Sequence, residues 1–354
     1  MTINGLSLSL SNMTTAVEET PLADVEALVL GRYGKSVRCT RISCERDELF
    51  HVFSVDGLQY ILRMSNPADD HATIDMQIQA LAWLAERAPH IPVPLLIASL
   101  SGETSFEAKV GDNPRRIIWM TSFLDGLALP KSISSQAQLR NIGISLAELG
   151  LALRGFSHPG ADRVLAWDIQ QAAACREMLP STQHADGNKP WDLVRAGFDY
   201  FDEVVYSRLI NMRSQVVHAD FNPHNILMDE GRHDEVSGIL DFGDMVATQL
   251  INDIAIAASY HTNGDHPLSK VAEMLGAYHR VLPLLLEEVD LLYDLIITRL
   301  CTAIAITEFR ARLYPANRHY ILKNTGVAWY GLQRLAQVSR ADAQSILRKA
   351  CNLE

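Results

Sequence analysis

From Val37 to Met64 the chain reads as three short strand-like runs, at about 37–44, 48–55 and 58–64, with Asp56-Gly57 between the last two. Asp-Gly between two such runs predicts a tight hairpin closed by a type I′ turn. The period changes on either side. Thr20-Pro21 opens an amphipathic stretch that stops near Gly34, which predicts a short helix with a cap, a proline at its first position and a terminal glycine. Residues 71–88 place Ile74, Ile78, Leu81 and Leu84 on one helical face, and Pro89, Pro92 and Pro94 end that helix. Strand follows again at Val93–Ser99, near 104–110, and at Arg116–Ser122.

After Asp125-Gly126 helical spacing takes over, at about 134–154, 167–179, 191–213, 251–262, 267–282, 286–312 and 317–337. Two short strand-and-loop segments, around His218–Met228 and Val236–Asp244, interrupt it. The pattern predicts an α+β chain of two lobes: a small antiparallel-sheet N-lobe with one helix, and a large, mostly helical C-lobe. The expected divisions are a frayed N-terminus at 1–20, a nucleotide-binding N-lobe at 21–122, and a catalytic and acceptor-binding C-lobe at 123–354. A cleft between lobes is where a small ligand is expected.

Composition narrows the class. At 354 residues the chain has room for two lobes, and 48% hydrophobic content fits a globular protein. The net charge of −11 lacks the basic footprint that nucleic-acid binding needs. No basic start precedes an apolar core at the N-terminus, and no apolar run approaches the about 18 residues of a membrane span. Five scattered cysteines with no C-x-x-C fit a reducing compartment without a zinc site. A cytoplasmic protein is expected, with no nucleic-acid partner and no membrane association; oligomeric state is not legible.

The two interrupting segments hold the chemistry. Residues 218–225 read His-Ala-Asp-Phe-Asn-Pro-His-Asn, an H-x-D-x-x-x-x-N pattern followed by Ile226-Leu227-Met228. Sixteen residues beyond Asn225, after the apolar stretch Val236–Leu240, comes Asp241-Phe242-Gly243-Asp244. Phosphoryl transfer from a nucleotide needs one carboxylate to meet a hydroxyl, and an amide plus a second carboxylate to hold Mg²⁺ against phosphates. Asp220 suits the first role, Asn225 and Asp241 the second. The spacing puts Asp220 and Asn225 on opposite sides of a reacting phosphate, and His218 braces the loop. A metal hydrolase ligated by His218, Asp220 and His224 is the competing reading. It is weakened because the two histidines are six apart around a proline, with no shared helical face.

In this order, the segments resemble the aminoglycoside phosphotransferase and choline kinase superfamily, over about 22–340. Its fold is protein-kinase-like. The chain is also similar to the hydroxylysine kinase branch and to kinase-like domains fused to class III aminotransferases. The residues behind this are Glu45–Phe50, His218–Asn225, Gly238–Met245 and Phe156–Asp168. The resemblance implies Asp220 as catalytic base and Asn225 and Asp241 as Mg²⁺ ligands. It implies Ser122 and Leu124 presenting backbone groups to a purine, Ile61 packing on the base, and Asp253 bracing the catalytic loop. The phosphate-binding lysine of the family is replaced by Arg63, and the helix glutamate that pairs with it by Gln77, with Asp75 a possible substitute. No G-x-G-x-x-G is present, so the Ser43–Phe50 turn would cover the phosphates.

The implied activity is transfer of the γ-phosphoryl of ATP or GTP to a hydroxyl on an amino-acid or amino-alcohol acceptor bearing an ammonium. The first choice is 5-hydroxylysine; homoserine, choline, ethanolamine and an aminoglycoside are the others. Asp168, Asp199, Asp202 and Glu203 are available to the ammonium, and Arg163, Arg195 and Arg299 to a carboxylate. A nucleotide-binding module without turnover is the alternative from another class.

Overall fold

The computed structural model describes residues 19–44, 47–111, 113–132, 134–180 and 189–354. The expected fraying of the N-terminus falls almost wholly outside them, as do Glu45 and Arg46 of the proposed nucleotide turn.

Helix α1 (Leu22–Tyr33) ends at Gly34, whose φ of 66° supplies the left-handed stop. Pro21 stands at its N-cap, and Thr20 does not cap it. The Thr20 hydroxyl instead joins Glu48, Asn113 and Arg116 in a buried network. Strands β1 (Val37–Ile42), β2 (Glu48–Ser54), β3 (Gln59–Met64), β4 (Leu96–Ile97), β5 (Ser105–Ala108) and β6 (Arg116–Ser122) form one antiparallel sheet ordered β1-β2-β3-β6-β4, with β5 also on β6. Alternation along β2 and β3 sends Phe50, Val52, Leu62 and Met64 into a core shared with Val25 and Val29 of α1.

The β2–β3 turn differs from the type I′ expectation. Phe53 pairs with Gln59, the Ser54 N–H donates to Leu58 O (2.9 Å), and the Gly57 N–H donates to Ser54 O (3.0 Å). Gly57 alone has positive φ, at 87°. This is a three-residue loop, a type I turn followed by a left-handed glycine. The Val93–Ser99 strand shrinks to β4 because Pro94 removes an amide that a ladder needs.

Helix α2 (His71–Arg87) bridges the two halves. Ile74 and Ile78 pack on Trp119 of the sheet, while Met76, Ala80, Leu81 and Leu84 enter the large core. The helical region contains α3 (Gln136–Ala152), α4 (Trp191–Tyr200), α5 (Leu250–Ser259), α6 (Ser269–Val281), α7 (Leu286–Leu313), α8 (Thr325–Leu335) and α9 (Arg340–Ala350), with shorter turns between them. Helix α3 lies on α6 at Gly143, where a Cβ would sit 2.2 Å from Met274 O. The expected helix at 167–179 is a chain of single turns, and that at 191–213 passes through a wide turn at Phe201–Val205 after α4. Two small ladders frame the loops: β7 (Leu127–Ala128), β9 (Ile226–Met228) and β10 (Val236–Ile239) in one, and β8 (Ser214–Val217) with β11 (Val246–Gln249) in the other. Among the described residues no helix is long and apolar enough to cross a membrane.

Candidate active site

Strands β8 and β9 hold the loop 218–225 between them. His218 is fully buried, with Nε2–H donating to Leu240 O (3.0 Å) and Nδ1 accepting the Asp220 N–H (3.2 Å). Its ring stands edge-on to Phe221 and Phe242. Burial lowers its pKa to about 4, so the imidazole is neutral and both nitrogens are occupied. This geometry braces the loop and gives His218 no contact with a reacting group. Ala219 is held at φ 60°, a left-handed conformation that costs a non-glycine residue about 1 kcal/mol or more. Asp253, in the first turn of α5, offsets that cost by accepting the amides of Ala219 (2.9 Å) and His218 (3.4 Å). Burial raises the Asp253 pKa to about 6, against the pull of those amides.

Asp220 follows and faces a cavity. The loop closes on itself through Asn222 N–H to Asp220 O (2.8 Å) and Asn225 N–H to Asn222 O (3.0 Å). Asn225 Nδ2 therefore reaches Asp220 Oδ2 at 2.7 Å and Asp220 O at 3.0 Å. The expectation that the two side chains stand on opposite sides of a reacting phosphate is corrected: they are hydrogen-bonded neighbours. Burial pushes the Asp220 carboxyl well above its usual range, the carboxylates of Asp244 and Asp241 add to this, and Arg299 opposes it.

Asp241 is tied to the same loop, since the Leu240 N–H donates to Asn225 O (2.8 Å). It too has φ 60°, and its Oδ1 accepts the Gly243 N–H (3.2 Å). Arg163 staples this turn by donating to Gly243 O (2.6 Å) and Met245 O (2.8 Å), so it is not a cation awaiting a substrate carboxylate. Asn225 spends its amide nitrogen on Asp220, and its Oδ1 accepts no hydrogen bond from a described residue. With the exposed Asp241 carboxylate, it offers a pair of oxygen ligands. Among the described residues no group of three or more His, Cys, Asp and Glu could hold a metal. Two oxygens fit a hard cation that completes its shell with phosphate and water. They do not fit the hydrolase triad: His218 is buried and occupied, and His224 points to Asn324 Oδ1 (3.4 Å).

These groups line a cavity of about 510 Å³ between the sheet and the helices. On the sheet side stand Cys44, Asp47, Arg63 and Gln77; on the helical side Trp167, Tyr260, Arg299, Thr307 and Arg310. Arg63 does not pair with the α2 residues expected of it. Its guanidinium donates to Asp47 Oδ2 (3.3 Å) and lies over Trp119. Burial works against its charge, but Asp241 and Asp47 outweigh this and raise its pKa. Gln77 lines the cavity without a hydrogen bond to Arg63, and Asp75 is turned away to His158 (3.0 Å).

The strand ends are less as expected. Ile61, Ser122 and Leu124 lie outside the cavity lining. The Ser122 N–H is committed to Leu95 O (2.8 Å) and that of Phe123 to Gln59 O (3.2 Å), which leaves Leu124 as the amide without a described partner. The acidic list is also corrected. Asp168 is buried beneath Thr248 (2.9 Å), Asp199 and Asp202 pair with Arg176 on the surface, and Glu203 is exposed away from the cavity lining. Arg195 is tied to Pro180 O, leaving Arg299 as the member of its trio that lines the cavity. Sequence reasoning missed Asp47, Asp244, Tyr260 and Thr307. Asp47 lay within the Ser43–Phe50 turn expected over the phosphates, and Asp244 was visible as the last residue of D-F-G-D; for Tyr260 and Thr307 nothing in the spacing marked a ligand-facing side chain.

An antiparallel sheet over a helical region, with H-x-D-x-x-x-x-N and D-F-G-D loops meeting at the cleft, defines a protein-kinase-like phosphotransferase. Residues 44–285 match the profile of the phosphotransferase enzyme family, APH, and the chain belongs to that family. It is 26% identical over 309 residues to hydroxylysine kinase from Mus musculus, covering 82% of this chain and 80% of that protein. Among solved structures it is similar to an aminoglycoside phosphotransferase from Alicyclobacillus acidocaldarius, with a TM-score of 0.62, 17% identity and coverage of 95% and 98% of the two chains. It is also similar to amicoumacin kinase hAmiN, solved in complex with AMP-PNP, Ca²⁺ and Ami, with a TM-score of 0.60, 14% identity and coverage of 81% and 87%. These two likenesses show the fold.

Proposed function

We propose that this small-molecule kinase transfers the γ-phosphoryl of ATP or GTP to the hydroxyl of an amino-acid or amino-alcohol acceptor, with 5-hydroxylysine the first choice and homoserine the second. The observation that carries this reading is the Asp220 carboxylate, fixed by Asn225 at 2.7 Å and facing a cavity with a nucleotide-suited side and a separate helical side. Asp220 accepts hydrogen bonding from the acceptor hydroxyl, aligns its oxygen and takes its proton. Arg63 contacts the nucleotide phosphates, and Leu124 offers its backbone to the base. Asn225 Oδ1 and the Asp241 carboxylate hold Mg²⁺, which when bound neutralises phosphate charge. The acceptor's ammonium rests near Asp244 and the rings of Trp167 and Tyr260. The family membership and the similarity to mouse hydroxylysine kinase support the acceptor class.

The test is a nucleotide-consumption assay with ATP and with GTP over 5-hydroxylysine, homoserine, choline, ethanolamine, an aminoglycoside and neutral sugars. Transfer to 5-hydroxylysine or homoserine is expected. Preference for a neutral sugar would reject the ammonium-bearing acceptor while leaving the family chemistry in place.

A further inference from the structure

Arg299 is the unusual group in this cavity. It sits in the middle of α7 and is only 3% exposed. A guanidinium taken out of water at that depth ordinarily has a carboxylate partner. Arg299 forms no ion pair with a described residue. One nitrogen donates to Trp167 O (2.7 Å), the group lies 5.2 Å from the centre of the Trp167 ring, and Nε has no hydrogen-bond partner. Tyr260 also hydrogen-bonds the guanidinium, and the carboxylates of Asp220 and Asp168 attract it without forming an ion pair, so the buried charge has no direct counter-ion.

Its position explains what could complete it. Arg299, Ala303, Thr307 and Arg310 follow one another at spacings of four, four and three along α7, and all four line the cavity. They form one helical face, which makes a rigid floor on the helical side. The lining carboxylates are Asp47, Asp69, Asp220, Asp241 and Asp244, which belong to the sheet side or to the two catalytic loops. The α7 face contributes cations and a hydroxyl, and no carboxylate. A ligand reaching from Asp220 onto that floor meets positive charge. An ammonium end has no partner there; a carboxylate has a planar, multi-donor one.

We infer that Arg299 is the specificity-determining residue of a carboxylate subsite, so the acceptor is a hydroxylated amino acid and not a simple amino alcohol or amino sugar. This rests on the proposed kinase reading, with the acceptor hydroxyl at Asp220. Arg310 and Lys323 flank the subsite from α7 and from the segment ahead of α8. The acceptor's carboxylate supplies the missing counter-charge, and its geometry fixes the distance from carboxylate to reacting hydroxyl.

The test uses matched pairs differing only in the carboxylate: 5-hydroxylysine against 1,5-diaminopentan-2-ol, and homoserine against 3-aminopropan-1-ol. Each is assayed with Mg-ATP and wild-type protein, Arg299→Lys and Arg299→Met, with thermal melts confirming that each variant is folded. The wild type is expected to favour the carboxylate-bearing member of at least one pair by about 10²-fold or more in kcat/KM. That ratio falls about tenfold or more in Arg299→Met and by less in Arg299→Lys, which keeps the charge and loses the fork. A purely structural role for Arg299 would lower both members of a pair alike and leave the ratio untouched. Should Arg299→Met fail to fold, the ratio in Arg299→Lys decides, and an unchanged ratio overturns the assignment. A wild type that uses both members equally overturns the carboxylate subsite and leaves the kinase reading intact. Transfer to neutral sugars and to none of the four amines overturns the acceptor reading and the subsite together.

Discussion

On the proposed reading, Asp220 occupies a position that favours catalysis over stability. Burial and the carboxylates of Asp244 and Asp241 raise its pKa in the absence of ligand. A carboxyl whose folded pKa lies above its unfolded value binds protons better when folded. The associated stability is present below the unfolded pKa and is lost as pH rises through the folded one. Asp220→Asn keeps the shape and cannot ionise, so two outcomes are expected together. Turnover falls by about 10²–10⁴-fold, the usual contribution of a general base. The ligand-free variant also melts above the wild type at pH 8, with a smaller gain at pH 5. A variant with near-normal kcat removes Asp220 from the chemistry, and a melting difference independent of pH removes the strained carboxylate. At this scale the sequence was informative where groups on two short segments had to meet, as with Asp220 and Asn225 on one and Asp241 on the other. It was silent where direction mattered. Arg163, Arg195 and Arg299 look alike in one dimension, yet their partners are a turn, a carbonyl and the cavity.

At the scale of elements, strands and helices were legible wherever local pattern and tertiary burial agreed. Strand β6 and helix α2 fall almost where the spacing puts them. The hairpin turn was misread because Asp56-Gly57 fixes a left-handed glycine without fixing the residue count of the loop. Helix α9 was overlooked, although Ser339 caps it by accepting the Asp342 N–H (3.1 Å) and Ala343 and Leu347 bury at a spacing of four. Two predictions belong here. Asp47, on the turn before β2, holds Arg63 and also accepts the Asn66 N–H (3.0 Å), so it takes the positioning part expected of α2. Asp47→Asn should raise the KM for nucleotide about tenfold, equivalent to roughly 1.4 kcal/mol, with Gln77→Ala having little effect. Equal effects would return that part to α2. The second concerns Glu48, which accepts from Thr20, Arg41 and Arg116 and pins the chain ahead of α1 to the sheet. Burial opposes its charge, but these partners prevail and lower its pKa. Glu48→Gln leaves the buried Arg116 uncompensated and should cost about 3–5 kcal/mol in denaturant melts near pH 7. A lowered carboxyl pKa contributes stability above its unfolded pKa and loses it as pH falls through the folded one, so the penalty should shrink toward pH 3. A penalty that is flat with pH would show that packing, not charge, holds this corner.

For the molecule as a whole, charge sets the condition for binding. The chain carries −11, and Asp47, Asp69, Asp220, Asp241 and Asp244 line the cavity, where among the described residues Arg63 is the strongly basic group on the sheet side. A nucleotide triphosphate brings several more negative charges to the same place. On the proposed reading the cleft recruits a cation along with the phosphates, with Asn225 and Asp241 as its oxygen donors. The two-lobed outline was legible from the change of period near residue 125, since a sheet hairpin series and a helical series each advertise themselves. The affinity of the cleft was not, because it depends on how charges from both halves sum across a gap. The expected outcome is that Mg-ATP or Mg-GTP at a hundred times its dissociation constant stabilises the protein by about 2.7 kcal/mol. For a chain of this size that is a melting shift on the order of 5 °C. The same nucleotide in EDTA gives almost none, and Asp241→Asn behaves with Mg²⁺ as the wild type does without it. If the wild type is stabilised equally with and without Mg²⁺, Arg63 and the backbone suffice for the phosphates, and the carboxylates at the mouth of the cleft have some role other than holding a metal.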